Sequence, residues 1–242
     1  MDTSIYIREY RSDKEDAKTV ILFHDIGGGH YTFDSLIPLL VEEGLHVVSF
    51  DYLGHGLSSG TRGHFESIDE VKNFLKELYY NSKLAQGDEV YTLAVNQGAL
   101  ISLLFSTLFD NVKGNIFLNP KIRIEFNKNL KNELLSKIPW QPNFLSRYHI
   151  KLSKQSNDLT ANNFVTKRTL IVLNQILKKV QLDVYFMECR NLIFSSNKDS
   201  IIFETIMSEF RDEIEIPEFN SVKAIKKQDI IFKETYNWIY EN

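Results

Sequence analysis

Cysteine occurs once, at Cys189, which excludes an internal disulfide framework. No apolar stretch approaches the roughly 18 residues that would mark a membrane-spanning helix. The opening Met1-Asp2-Thr3-Ser4 lacks the basic region and apolar run of a secretory signal, so a cytoplasmic protein is expected. Histidine is sparse and unevenly placed: His24, His30, His46, His55, His64 and His149 are all there are, and none follows residue 149. No His/Asp/Glu cluster shows metal-ligand spacing, so no metal or cofactor is expected. A formal net charge of −4 gives no reason to expect nucleic acid as a partner.

What is present is the composition of an ordinary globular chain. In 242 residues, 43% are hydrophobic and 25% charged, which fits a single domain over 1–242 with a well-buried core. Thr19–His24 and His46–Asp51 are nearly continuous apolar runs, as strands covered on both faces require. Glu89–Val95 and Gly114–Asn119 read the same way. Helical segments lie between them at Phe33–Glu43, Ile68–Leu84 and Gly98–Phe109. This alternation predicts βαβ units and a mostly parallel central sheet flanked by helices. Ile5–Tyr10 alternates apolar and polar residues and is expected to form an antiparallel edge hairpin with Thr19–His24.

Between Lys121 and about Leu182 the pattern changes. Leu170, Leu173, Ile176, Leu177 and Val180 share one helical face, and 121–182 reads as a helical insert. Lys121–Val180 holds twelve Lys/Arg against three Asp/Glu, a net of +9 in a chain whose total is −4. This is either a solvated, lysine-rich set of helices or a basic surface for a partner. Sheet character returns at Asn191–Phe194 and near Glu213–Ile216, with helices at Ile201–Phe210 and about Lys227–Tyr240.

Three segments together resemble the monoacylglycerol lipase and lysophospholipase branch of the α/β-hydrolases, the serine aminopeptidase S33-like group. Asp51-Tyr52-Leu53-Gly54-His55-Gly56-Leu57-Ser58-Ser59-Gly60, continued by Thr61-Arg62-Gly63-His64, matches that branch's D-x-x-G-H-G-x-S-x-G and x-R-G-H loop position by position. His24-Asp25-Ile26 stands where the branch has H-G-x. Ala94-Val95-Asn96-Gln97-Gly98-Ala99 stands where it has G-H-S-M-G-G. HDIG also resembles the N-myc downstream-regulated family, α/β-hydrolase folds without a working triad, though the rest of the chain fits the lipase branch better. The resemblance implies an α/β-hydrolase fold with the insert as a helical cap over a pocket.

The same comparison identifies what is missing. Asn96 occupies the place of the nucleophilic serine, and an amide nitrogen is no nucleophile because it shares its lone pair with the carbonyl. Asparagine does tolerate the positive φ of a strand-to-helix elbow, and Ala94 and Gly98 keep the flanking positions small. The triad histidine would fall at about Asn220, and no histidine lies in that part of the chain. Asp199 stands at the acid position. By resemblance the oxyanion-hole donors are the backbone N–H groups of Ile26 and Gln97, and Asp25 places a carboxylate beside them that opposes a developing oxyanion.

A pseudoenzyme derived from a lipid or ester hydrolase and kept for ligand or partner binding is therefore the expectation. The alternative is a weak carboxylester or monoacylglycerol hydrolase with a rearranged site, for which Cys189 is the obvious substitute nucleophile, although a small core residue fits it as well. His24, Asp25, Trp140, Phe144 and His149 are candidates for the pocket and cap. An apolar or acyl small molecule is the ligand this implies. Aromatic residues among the basic charges of 138–148 also point to an anionic membrane surface or an acidic protein.

Overall fold

A computed structural model of the chain describes residues 4–121, 147–149, 161–162, 164–195, 211–215 and 228–240. Seven strands form one sheet: β1 (Ile7–Tyr10), β2 (Thr19–Phe23), β3 (His46–Phe50), β4 (Val90–Val95), β5 (Val112–Leu118), β8 (Arg190–Ser195) and β9 (Arg211–Glu215). Their order is β1-β3-β2-β4-β5-β8-β9, and every pairing except β1 with β3 is parallel. The expected α/β class with a mostly parallel sheet is what the chain forms.

Alternation along the strands builds two apolar layers. Ile21 and Phe23 of β2 face one side, with α2 (Ile68–Asn81), α3 (Gly98–Ser106) and α4 (Lys167–Asp183). Val20 and Leu22 face the other, with α1 (Ile37–Glu43) and α5 (Gln228–Tyr240). Residues one apart on a strand point to opposite faces, so a continuous apolar run serves both layers at once. The five residues of β2 are all buried. Helix α3 is buried from Gly98 to Phe105 and has no polar face, as befits a helix packed between the sheet and α2 and α4.

Several expectations are corrected. Strand β1 pairs with β3, Ile7 opposite Phe50 through Tyr10 opposite Val47, and does not form a hairpin with β2. Both edges of β2 are taken by β3 and β4, so the first strand finds its partner at the outer edge. The helix read over Phe33–Glu43 is two pieces, a short 3-10 turn at His30–Phe33 and then α1 with Pro38 in its first turn, where a missing N–H costs nothing.

The stretch 121–182, read as wholly helical, also holds two short antiparallel strands, β6 (Arg147–His149) and β7 (Phe164–Thr166). Its helix α4 buries Leu173, Ile176 and Val180 as the periodicity requires, but against α2 and α3 of the main body. Thr166 caps α4 by accepting from Thr169 N–H. The helix expected at Ile201–Phe210 lies outside the described residues. No helix among the described residues is long and apolar enough to cross a membrane.

At the turn from β4 into α3 the backbones come very close. A Cβ added to Gly98 would lie 2.5 Å from Phe23 O and 2.6 Å from His24 O, both main-chain atoms of β2 and its end. Replacing a helical glycine by alanine ordinarily stabilises by about 1 kcal/mol. At Gly98 we expect the opposite sign: Gly98→Ala should lower stability by about 1–3 kcal/mol through overpacking. A urea midpoint that rises in this variant would show that the approach is not as tight as described.

Candidate active site

The chain turns sharply at the carboxyl end of β4. Asn96 has φ 48°, one of two non-glycine residues with positive φ among those described, the other being Asn119 at φ 49°. Left-handed backbone is strained for most side chains and tolerated best by asparagine after glycine. The turn is held on three sides: Asn96 N–H donates to Leu118 O at 3.2 Å, and Asn96 O accepts from Ala99 N–H at 3.3 Å and Lys121 N–H at 3.1 Å. Asn96 is 8% exposed, so its side chain needs partners inside the protein.

Asp25 provides one. Its Oδ1 accepts from Ile26 N–H at 2.8 Å and from Gln97 N–H at 3.3 Å, while Oδ2 accepts from Asn96 Nδ2 at 2.8 Å. These two backbone donors are the pair expected to form an oxyanion hole. The carboxylate was expected beside them; it sits on them. Burial pushes the Asp25 carboxyl up to about 6, against the three hydrogen bonds and the charge of Lys121, which pull it down. Near pH 7 it is still mostly ionised.

His24 was a pocket candidate and is not one. It is fully buried, and both ring nitrogens are used internally. Nε2 accepts from Tyr52 N–H at 3.1 Å, which leaves Nδ1 as the donor to Asp25 O at 2.8 Å. The side chain at the end of β2 is packed between strands and presents nothing outward. Burial lowers it to about 4, offset in part by the nearby Asp51 charge. His55, also fully buried, donates from Nδ1 to Leu53 O and is lowered to about 3, chiefly by burial and then by His24.

The loop that carries the long motif match has structural work throughout. Asp51 takes N–H donors from His30 at 2.5 Å and Leu57 at 2.8 Å, and its second oxygen meets His30 Nδ1 at 2.9 Å. Gly56 has φ 45°, and a Cβ there would run into the Asp51 carboxylate. Ser58 Oγ donates to Asp51 O and accepts from Tyr6 N–H. Arg62 donates to Gly56 O and Asn162 Oδ1, and Asn162 in turn donates to Gly54 O and Gly27 O. Asn162 thus staples the 121–182 stretch to both loops. Nothing local in the sequence marks it, because its partners lie about a hundred residues away.

Cys189 lies just before β8, at the amino end of that strand, whereas Asn96 lies at the carboxyl end of the parallel β4. It is 8% exposed, its Sγ accepts from Asn115 Nδ2, and burial pushes the thiol up to about 11. A thiol so protonated and so far from Asn96 is no substitute nucleophile. A groove of about 850 Å³ opens at that same end, lined by Ser106, Phe109, Lys113, Lys179 and Phe186 among others. No group of three or more His, Cys, Asp or Glu is placed to hold a metal among the described residues. His149 is placed only as a strand residue, opposite Phe164. Asp199, Asn220, Trp140 and Phe144, and most of the basic stretch, lie outside the described residues.

The match of known families now has a geometry to stand on. The model of "Serine aminopeptidase, S33" matches residues 14–221. The chain belongs to that family of α/β-hydrolases. Among solved structures it is similar to a soluble variant of monoglyceride lipase from Saccharomyces cerevisiae, with a TM-score of 0.73 at 14% identity over 99% of this chain and 92% of that one. The monoacylglycerol lipase of Paleococcus ferrophilus gives 0.69 at 14% identity over 95% and 99%. An enol-lactonase from Burkholderia xenovorans gives 0.64 at 12% over 98% and 96%. At such identities these likenesses establish the fold of this S33 chain. A curated relative, an uncharacterized abhydrolase domain-containing protein of Dictyostelium discoideum, is 28% identical over 85 residues, 35% of this chain and only 9% of that protein.

The buried histidines make a testable statement about pH. Both are neutral when folded and, with ordinary values of 6.5, protonated when unfolded in mild acid, so each contributes stability that is lost as pH falls below about 6.5. Asp25 acts the other way: raised from 3.8 to about 6, it keeps a proton in the fold that the unfolded chain releases between those values. Near pH 5 these three groups together take up about one proton on unfolding, a slope of about 1.4 kcal/mol per pH unit. Asp25→Asn should steepen that slope to about two protons, read from denaturant melts between pH 4.5 and 6. An unchanged slope would show that the carboxyl is not raised.

Proposed function

We propose that this S33-family protein is a hydrolase fold that binds rather than hydrolyses, with Asn96 in the place of the nucleophile and an apolar or acyl molecule as ligand. The observation that carries the reading is the Asp25 carboxylate on the N–H groups of Ile26 and Gln97. In acyl transfer such donors must be free to meet the oxygen as it becomes negative, and losing one costs about 10²–10³ in kcat. Here both are taken by an anion attached to the chain. A substrate carbonyl would have to displace a carboxylate held by three hydrogen bonds before any attack began.

Two further losses support the reading. Asn96 has no lone pair suited to attack, and its Nδ2 is committed to Asp25. The sequence has no histidine after residue 149, so the base that would follow the last strand is missing. An apolar ligand is proposed because relatives of this fold include monoacylglycerol lipases, whose substrates carry acyl chains.

Hydrolysis of a short-chain p-nitrophenyl ester tests the reading directly. Wild type should be silent, and so should Asn96→Ser combined with Asn220→His, because the carboxylate still fills the hole. Adding Asp25→Gly to that pair should raise the rate by about 100-fold or more, the worth of a freed donor or two. Wild-type turnover of about 1 s⁻¹ or faster, an ordinary enzymatic rate, would overturn the proposal.

A further inference from the structure

An esterase site presents hydrogen-bond donors to its ligand. At the turn between β4 and α3 of this chain the donors are consumed, and acceptors remain. Asp25 Oδ1 takes two N–H groups and Oδ2 takes one, which leaves one open lone-pair direction of the four that a carboxylate offers. Asn96 Oδ1 is buried and has no partner, although the residue is 92% buried by its 8% exposure. A buried acceptor left unmade costs about 1–3 kcal/mol, which a donor brought to it would recover. Asp25 as a residue is only partly buried, although its carboxyl feels burial strongly. Asn119 Oδ1, another buried acceptor without a partner, stands at the end of the neighbouring strand β5. Against these acceptors the one spare donor of the pair is the second amide hydrogen of Asn96.

From this we infer that the site takes a ligand whose head is a hydrogen-bond donor carrying positive charge, a protonated primary amine on an apolar body. The amine donates to Asp25 Oδ2 and Asn96 Oδ1. The inference rests on the proposed binding role and names the ligand class for it. Hydrogen-bond polarity decides against the alternatives, since Lys121 already sets a positive charge near Asp25. A fatty acid brings a second carboxylate against Asp25, and an ester brings only acceptors to acceptors, which leaves buried groups unpaired on both sides. An alcohol donates one hydrogen bond without charge and should fall between. Near neutral pH the Asp25 carboxyl, at about 6, is largely ionised, which suits an ammonium partner.

Isothermal titration at pH 7.5 with n-octylammonium, n-octanol and n-octanoate separates these heads, because the tail is common to all three. We expect octylammonium to bind about 10- to 100-fold more tightly than octanoate, the worth of one charge-assisted hydrogen bond, with octanol between. Asp25→Asn, which keeps the shape and removes the charge, should bring the ammonium and carboxylate heads to within about three-fold of each other. Asp25→Gly frees the two N–H groups and should favour octanoate. Octanoate binding as tightly as octylammonium to wild type, no binding of any of the three, or a preference that survives Asp25→Asn would each overturn the inference. The outcomes separate from those of the proposed function: ester turnover by wild type ends the binding-only reading, whereas equal affinities in a silent protein end only the choice of head group.

Discussion

The carboxylate of Asp25 ties the turn after β2 to the turn after β4, just beyond the last rung of the ladder that pairs these two strands. It lies two residues past the end of β2, and its oxygens reach the turn between β4 and α3. That reach is possible because Gly98 lets the backbone of β2 pass within van der Waals contact of the first turn of α3. Once there, the carboxylate satisfies an N–H at the start of the helix, an N–H at the end of the strand, and a side-chain amide on a left-handed residue. Each would otherwise be a buried donor without a partner, at the point where a hydrolase of this fold would place substrate. The anion also complements the positive end of the α3 dipole. Its partial desolvation offsets some of that gain, which is why its carboxyl rises and does not fall.

The loop from Asp51 to His64 shows how a motif shared with a family of enzymes serves the scaffold. Every polar residue of that match whose contacts are described is engaged in holding the loop. Asp51 collects donors from two segments, Ser58 links it to the first strand, and Arg62 reaches Asn162 beside the last strands of the 121–182 stretch. His64 meets Thr166, the residue that caps α4. His55 of this loop and the neighbouring His24 are sealed in an aromatic cluster with Tyr52 and Phe65 and stay neutral. Losing Ser58, Arg62 or His64 would loosen the scaffold, because each holds a contact between segments distant in sequence.

The strands could be read from sequence because a β-run buried on both faces is apolar whatever surrounds it, as Thr19–Phe23 and Val90–Val95 illustrate. The partner of β1 could not, because edge pairing depends on which central edges are already taken. The three-residue strands β6 and β7 escaped for a related reason: so few residues carry no periodicity, and their pairing is with each other across a long stretch. At the site, the identity of the residues was legible. Asn96 in a serine's place and the lack of a late histidine need no coordinates. The position of the Asp25 carboxylate was not, since a residue one bond rotation away could either flank a pair of donors or occupy them. His24 was misread because motif position says where a residue lies along the chain and not which way a strand end faces.

The departures at 25 and 96 from the lipase pattern support each other. With glycine at 25, Asn96 Nδ2 would lose its acceptor, and with it a buried amide would stand unpaired at a cost of about 1–3 kcal/mol. With Asp25 alone and no donor on residue 96, the carboxylate would keep two backbone bonds but lose the one on its second oxygen, and its ionised form would be harder to hold. Together they occupy the donors of the site and leave acceptor capacity on Asp25 and Asn96. In the proposed reading, a return to hydrolysis by single steps is uphill: a serine at 96 meets two N–H groups already bonded to Asp25, and a glycine at 25 strands the asparagine. In the same reading, loss of catalysis and change of ligand polarity are one structural event, because the same carboxylate that sits on the two N–H groups is the group offered to the ligand.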